Sequence, residues 1–424
     1  MDTSVNYEEL LELTVSLAAR LQKSGAETYR VEETIVRTVE AYGIEKVDAF
    51  VIPGSIFVSL ETDGGQVYTK IRRIQNSDTS IDGIERYSAL CRRLCRETPP
   101  IREAKKLLAE TDASVRTYNL FIYYLADFIL AAGFAIFFKG TIMDALSAGI
   151  CGVATGFFMR LMGFLNANTF FKTFVGGFII AFSAYGLAAI GICDNADVAS
   201  IGTMMMLVPG FLFTNSLRDI IYGDTMSGVN RLVQVLIIAV ALVVGTGTAI
   251  SLTRHLWGAI PGSENLVEHG LAVECAAGMI GSLGFSLMIN THGKGLIHCM
   301  FGSVIASFVC STCIRLGLPE PASYFIAAGI SAFYAEIVAR IRKHPATSYL
   351  MAALVPLIPG AGIYYTMNFI AANQGAEAWS KGLATAAISG AMAVGVLFVS
   401  TGFRMWGEYK RRRAVEKTKK QNKA

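Results

Sequence analysis

Two proline–glycine pairs stand about 150 positions apart in matching surroundings: Val208-Pro209-Gly210 and Ile358-Pro359-Gly360. Each interrupts an apolar helical pattern and is followed by polar residues, Asn215, Arg218 and Asp219 after the first and Tyr364, Tyr365 and Asn368 after the second. Proline removes a backbone donor and displaces the carbonyl four residues earlier, so a helix broken there presents unpaired carbonyls and the start of a new half-helix. Where water is scarce, such half-helix ends hold carboxylate and ammonium groups together, the two charges of a zwitterionic amino acid. One such pair alone reads as a packing kink. Two at equivalent positions read as a site, so Pro209, Gly210, Asn215, Pro359, Gly360, Tyr364, Tyr365 and Asn368 are expected to contact a small polar solute.

A second group of residues could move protons. Asp127 and Glu274 lie several residues inside apolar runs, where ionisation costs at least a few kcal/mol. A carboxyl group that takes up and releases a proton there suits proton-coupled transport. Glu274 is the stronger candidate, because Tyr123 and Tyr124 beside Asp127 offer that carboxyl hydrogen bonds. Arg218, Asp219, Asp224 and Arg231 form either a cytoplasmic gate network or ordinary loop charge, and the residues leave the two even. Glu336 and Arg340, spaced i,i+4, read as a structural ion pair, and His298 as a packing histidine.

Other chemistry lacks its parts. The eight cysteines are scattered, and Cys310 and Cys313 share an apolar run with no histidine or carboxylate at ligand spacing, so no metal is expected. There is no His-Glu-x-x-His, P-loop, dinucleotide fingerprint or nucleophile elbow, and Tyr222-Gly223-Asp224 lacks the first glycine of a Gly-x-Gly-Asp motif. The sequence thus points to no cofactor and no enzyme.

The elements that must position these residues are mostly membrane helices. The 424-residue chain is 53% hydrophobic and 17% charged, with a mean hydropathy of +0.46. About half of the ionisable side chains fall in the first 115 residues. Beyond them the pattern predicts ten spans, at about 118–138, 142–162, 171–193, 197–217, 230–252, 270–290, 295–315, 321–341, 346–370 and 381–403, each able to cross about 30 Å of hydrocarbon. With the N-terminus inside, cytoplasmic loops carry Arg160, Lys172, Arg218, Arg231, Lys294, Arg340, Arg342 and Lys343, against Lys139, Arg254, Arg315 and Lys381 outside. The net charge of +4 reflects this bias and the tail Lys410-Arg411-Arg412-Arg413 beside anionic lipid, not nucleic-acid binding.

The spans fall into two similar units. Leu130 to Ala135 reads like Gly281 to Ser286, Gly152 matches Gly302, and Phe174 to Phe182 matches Phe325 to Phe333. Five spans is an odd number, so the second unit enters from the opposite side, an inverted repeat. The expected fold class is a mainly α polytopic membrane protein with an N-terminal soluble α+β domain. Its expected parts are the head (1–115), a first five-helix repeat (116–260), a second (261–405) and a basic cytoplasmic tail (406–424).

In the head, Asn6-Tyr7-Glu8-Glu9 starts an amphipathic helix that runs to about Lys23, and Thr28 to Tyr42 gives a second. Strands are expected at 46–52, 55–61 and 66–74, the last two joined by Asp63-Gly64-Gly65, and helices at 84–97 and 102–110.

The stretch Leu207-Val208-Pro209-Gly210, with Asn215, Arg218-Asp219, Gly223-Asp224, Ser227-Gly228 and Arg231, resembles the signature of the threonine/serine exporter family of bacterial inner-membrane proteins. Ser24-Gly25-Ala26-Glu27 with Arg30 and Glu32 resembles it too, as does Val355 to Gly360 with Tyr364-Tyr365. The likeness spans the head and both halves, here fused in one chain. It implies proton-driven export of small metabolites, typically threonine and serine, by a protein of the inner membrane; the inverted repeat places both termini in the cytoplasm. Some split members are tied to dicarboxylates such as succinate. The residues themselves leave open a metabolite-gated channel with the head as ligand domain. The partners expected are a small-molecule substrate and the lipid bilayer, with no nucleic acid; homo-oligomerisation stays open.

Overall fold

The computed structural model describes residues 6–62, 64–74, 78–258, 266–372 and 374–421. In the head, Asn6 accepts from the Glu9 amide at 3.1 Å and opens α1 (Tyr7–Lys23), and Gly25, at φ 86°, turns the chain into α2 (Thr28–Ala41). Strands β1 (Lys46–Ile52), β2 (Ser55–Glu61) and β3 (Val67–Arg73) form an antiparallel meander. Asp63 of the expected turn lies outside the described residues. One face of the sheet buries Val51, Ile56, Val58 and Leu60 against α1, α2 and α3 (Ile81–Glu97). Helix α3 begins three residues before its first expected position, because the Ser80 hydroxyl caps the Gly83 amide. Helix α4 (Ile101–Ser114) then leads toward the membrane part.

That part continues with α5 (Leu120–Phe137), α6 (Ile142–Phe164), α7 (Thr169–Ala189), α8 (Ala196–Met204), α9 (Gly210–Tyr222) and α10 (Thr225–Trp257). Its second half comprises α11 (Leu271–Met288), α12 (Lys294–Arg315), α13 (Glu320–Arg342), α14 (Thr347–Ala353), a 3-10 turn at Val355–Leu357, α15 (Gly360–Ala371) and α16 (Gly375–Gln421). Among the described residues, eight helices are long and apolar enough to cross a membrane. A ninth crossing results if α14 and Val355–Ile370, bent by 43°, count as one. The segment expected as a single span at 197–217 is instead the two short helices α8 and α9.

Two helices overshoot their expected ends. Helix α10 runs for 33 residues and α16 for 47, carrying the basic segment after Trp406 as a continuation of the helix. Lys, Arg, Glu and Ala favour helix, and no proline stops the chain there.

Some close glycine crossings have counterparts in the two halves. A Cβ on Gly133 would stand 2.5 Å from the Gly281 nitrogen, and one on Gly284 would stand 2.5 Å from the Leu130 nitrogen. Leu130 and Gly133 match Gly281 and Gly284 in the sequence alignment of the halves, so this is one contact seen from each side. Likewise a Cβ on Gly245 would collide with the Phe174 carbonyl, where α10 crosses α7. One on Gly395 would meet the Phe325 carbonyl, where α16 crosses α13.

Candidate functional site

The paired breaks form alike and meet. Pro209 precedes α9 with φ −80° and ψ 39°, and Pro359 precedes α15 with φ −76° and ψ 54°. Neither half-helix has a side-chain N-cap, so the first-turn amides are presented by backbone alone. Met205 and Val208 pack with Val355 and Ile358, while Met204 and Leu207 pack with Ala361 and Tyr364. Gly360 is small for a reason: a Cβ there would lie 2.6 Å from the Met205 sulfur.

The half-helices then differ. Along α9, Asn215 is buried and lines a cavity of about 610 Å³ between the head and α10. Gln22, Thr28 and Thr79 of the head face it, with Arg231 and Gln234 of α10 opposite. Arg231 pairs with Asp219 at 3.4 Å, and Asp224 accepts from the Thr28 hydroxyl at 2.9 Å. Of the four residues read as a gate network, the structure therefore joins two to each other and a third to the head. The side chain of Arg218 lies outside the described residues, as does that of Gly210's neighbour Phe211.

Along α15, Tyr364 is 1% exposed and donates to Asp197 at 2.9 Å. Tyr185 donates to the same oxygen at 2.7 Å. Tyr364 and Tyr365 rings lie 5.6 Å apart, and the Lys381 ammonium stands 6.0 Å from the Tyr365 ring. Asn368, one turn further on, lies beside the Tyr364 hydroxyl. Sequence reasoning missed Asp197. Its amide and that of Val198 are capped by Asn195, so the carboxylate reads as ordinary first-turn dipole compensation until its tyrosine partners are seen.

The two candidate proton carriers sit in unlike places. Asp127 is 1% exposed and pairs with Arg160 at 2.7 Å. The guanidinium lies 4.6 Å from the Tyr124 ring and 5.5 Å from that of Tyr123. The tyrosines therefore stack on the cation instead of satisfying the carboxylate. This pair faces a cavity of about 370 Å³ that reaches Met206 and Leu207 at the first break. Glu274, by contrast, lies in the first turn of α11 and pairs at 2.9 Å with Arg315, which is half-exposed. The expected depth of Glu274 is thus corrected to a helix end. Arg160 was missed as a partner because it looks like loop charge, while α6 runs on past it to Phe164.

The remaining readings are structural ones. Glu336 and Arg340 form an ion pair, and His298 stands 3.4 Å from the Tyr334 hydroxyl and edge-on to Tyr349. Among the described residues, no three His, Cys, Asp or Glu side chains are grouped to hold a metal ion.

Comparison with known proteins adds the following. One family model for threonine/serine exporters matches residues 12–253, and a second matches residues 274–401. A protein of Corynebacterium glutamicum named "Threonine/serine exporter" is 24% identical over 90% of this chain and 81% of its own. One of Mycobacterium tuberculosis named "Probable threonine/serine exporter" is 21% identical over 87% of this chain and 72% of its own. No solved structure matches.

Proposed function

Because the chain belongs to the threonine/serine exporter family, and is thus a multi-pass membrane transporter and not an enzyme, we propose that it exports small amino acids of the threonine and serine class, coupled to protons. In this reading α8 with α9 and α14 with α15 each make one broken span. Ten spans result, as two five-span repeats of inverted topology with both termini in the cytoplasm of a bacterial inner membrane.

The observation that carries the reading is the meeting of the two broken segments. Apolar side chains around the two breaks pack together, and polar groups lie on both sides: Asn215 toward the head, Tyr364, Tyr365 and Asn368 beyond the second break. Half-helix ends suit a zwitterion. The recurring glycine crossings support the two-repeat arrangement. Asp197 favours an ammonium-bearing substrate over a dicarboxylate, since it presents a carboxylate near the path with two hydroxyls on one oxygen. Asp127 is the better proton carrier. A proton on it releases Arg160, and its cavity reaches the first break.

Counterflow into proteoliposomes tests this. Labelled threonine or serine should accumulate transiently and saturably against unlabelled amino acid inside, with succinate a poor competitor. Succinate exchange with no amino-acid exchange would make the protein a dicarboxylate exporter, and linear, unsaturable flux would make it a channel.

A further inference from the structure

The head is fastened to one half of the membrane part. The Ile81 and Asp82 amides donate to the carbonyls of Ile289 and Asn290 in the α11–α12 loop, at 3.0 and 3.3 Å. The Asn290 amide returns bonds to the Ser80 hydroxyl at 3.1 Å and to the Arg116 carbonyl. Tyr118 donates to the Thr291 carbonyl at 2.8 Å and stacks on His292 at 4.1 Å. At the α13–α14 loop, Arg92 donates to the Lys343 carbonyl at 3.0 Å, and Glu85 stands 3.2 Å from His344. Among the described residues, the apolar core of the head takes in Ile289 and Met351 from the second half and none from the first.

Toward the first half the head presents a different surface. There lies the cavity of about 610 Å³, with Gln22, Thr28 and Thr79 on the head side and Asn215, Arg231 and Gln234 opposite. At its edge the Thr28 hydroxyl reaches Asp224. A contact interlocked by hydrogen bonds and a shared apolar core resists sliding, while an open cavity crossed at its edge by the Thr28–Asp224 hydrogen bond widens and narrows at smaller cost. Met351, part of the head's core, also lines this cavity and belongs to α14, the helix that leads into the second break. Any movement of the second half against the first must therefore carry the head and change the width of the gap.

We infer that the head is the cytoplasmic gate of the transport path, riding on the second half and closing over α9 and α10 of the first, with Thr28 and Asp224 as its catch. The inference rests on the proposed transport function and assigns the head its part in it. The head then contributes no chemistry of its own. It admits a small polar solute to Asn215 when the gap is wide and shields that residue when the gap is narrow.

Two cysteine pairs test this in a background freed of the eight native cysteines, with the bridges confirmed by mass spectrometry of cross-linked peptides. Thr28→Cys with Asp224→Cys ties the head to the first half; Ser80→Cys with Asn290→Cys ties it to the second. Oxidation should slow threonine counterflow at least tenfold in the first pair, reversibly with reductant, and change it less than twofold in the second. An oxidised first pair that runs at its reduced rate overturns the inference, and so does arrest by the second bridge. A readout without substrate separates this from failure of the transport reading. Adding Gln234→Cys, blocked reversibly during oxidation, lets a bulky impermeant maleimide report the gap. Labelling from the cytoplasmic side should fall at least tenfold with the first bridge closed, and unchanged labelling overturns the gate even if the substrate proves to be something other than an amino acid.

Discussion

Helices α9 and α15 start from almost the same proline conformation and then diverge in chemistry. The first continues with Asn215, which lines the cavity beneath the head; the second continues with Tyr364 sealed against Asp197. The backbone device is duplicated, and the side chains upon it are not. A carrier that collects solute on one side and releases it on the other needs two passages, and of the two half-helices one borders an open cavity and one is closed. On the proposed reading, the duplicated breaks make the site and the side chains that differ between them give it a direction.

The strongest way to break this comparison is at the crossings both halves share. Gly245→Leu and Gly395→Leu each drive a side chain into a neighbouring carbonyl, and each is expected to cost about 3 kcal/mol or more. Thermal unfolding in detergent should show similar losses for both; tolerance of one alone would mean the halves are not equivalent. Next in size is Asp127→Asn, which leaves Arg160, itself 31% exposed, without its carboxylate and is expected to cost about 1–3 kcal/mol. Uphill export driven by a pH gradient should disappear. Glu274→Gln, at a helix end beside half-exposed Arg315, should lower export only a few-fold. This reverses the ranking that sequence alone suggests, and equal export by wild type and Asp127→Asn would restore it.

Smaller effects should separate the two half-helices. Tyr364→Phe removes one of two hydroxyls on Asp197, worth about 1 kcal/mol, and should raise leak from the outer side. Asn215→Ala should raise the half-saturating concentration several-fold without leak. Identical phenotypes would erase the difference between the two passages.

The smallest expected effect concerns the head's hold on the second half. Burial, opposed by Arg342, pushes the Glu85 carboxyl up to about 7, with Asp82 and Arg86 also facing it. Burial pushes His344 below its ordinary value, so it is neutral where Glu85 ionises. A carboxyl raised on folding lends its stabilisation fully below about 4.5 and loses it as pH rises through about 7. Protection of residues 343–348, corrected for the intrinsic rise of exchange with pH, should fall across that range, and Glu85→Gln should flatten the response.

Much of this was legible in the chain. The Pro-Gly breaks and the strands at 46–52 and 55–61 announce themselves through local patterns: proline and alternation. The partners did not, because Asp127 meets Arg160 and Asp197 meets Tyr364 across distances in sequence that no local pattern records. Helix ends failed for a related reason. The charged segment after Trp406 reads as a separate tail by hydropathy, while backbone propensity simply carries α16 onward.

The central claim is that the two breaks bound one solute between them. Substrate protection of Asn215→Cys and Tyr365→Cys against a small thiol reagent tests it most directly, with each variant in a background free of other cysteines. If one molecule binds between the half-helices, threonine or serine should slow modification at both positions with the same half-protective concentration. Protection of one position alone, or of neither at concentrations that saturate counterflow, would contradict the account.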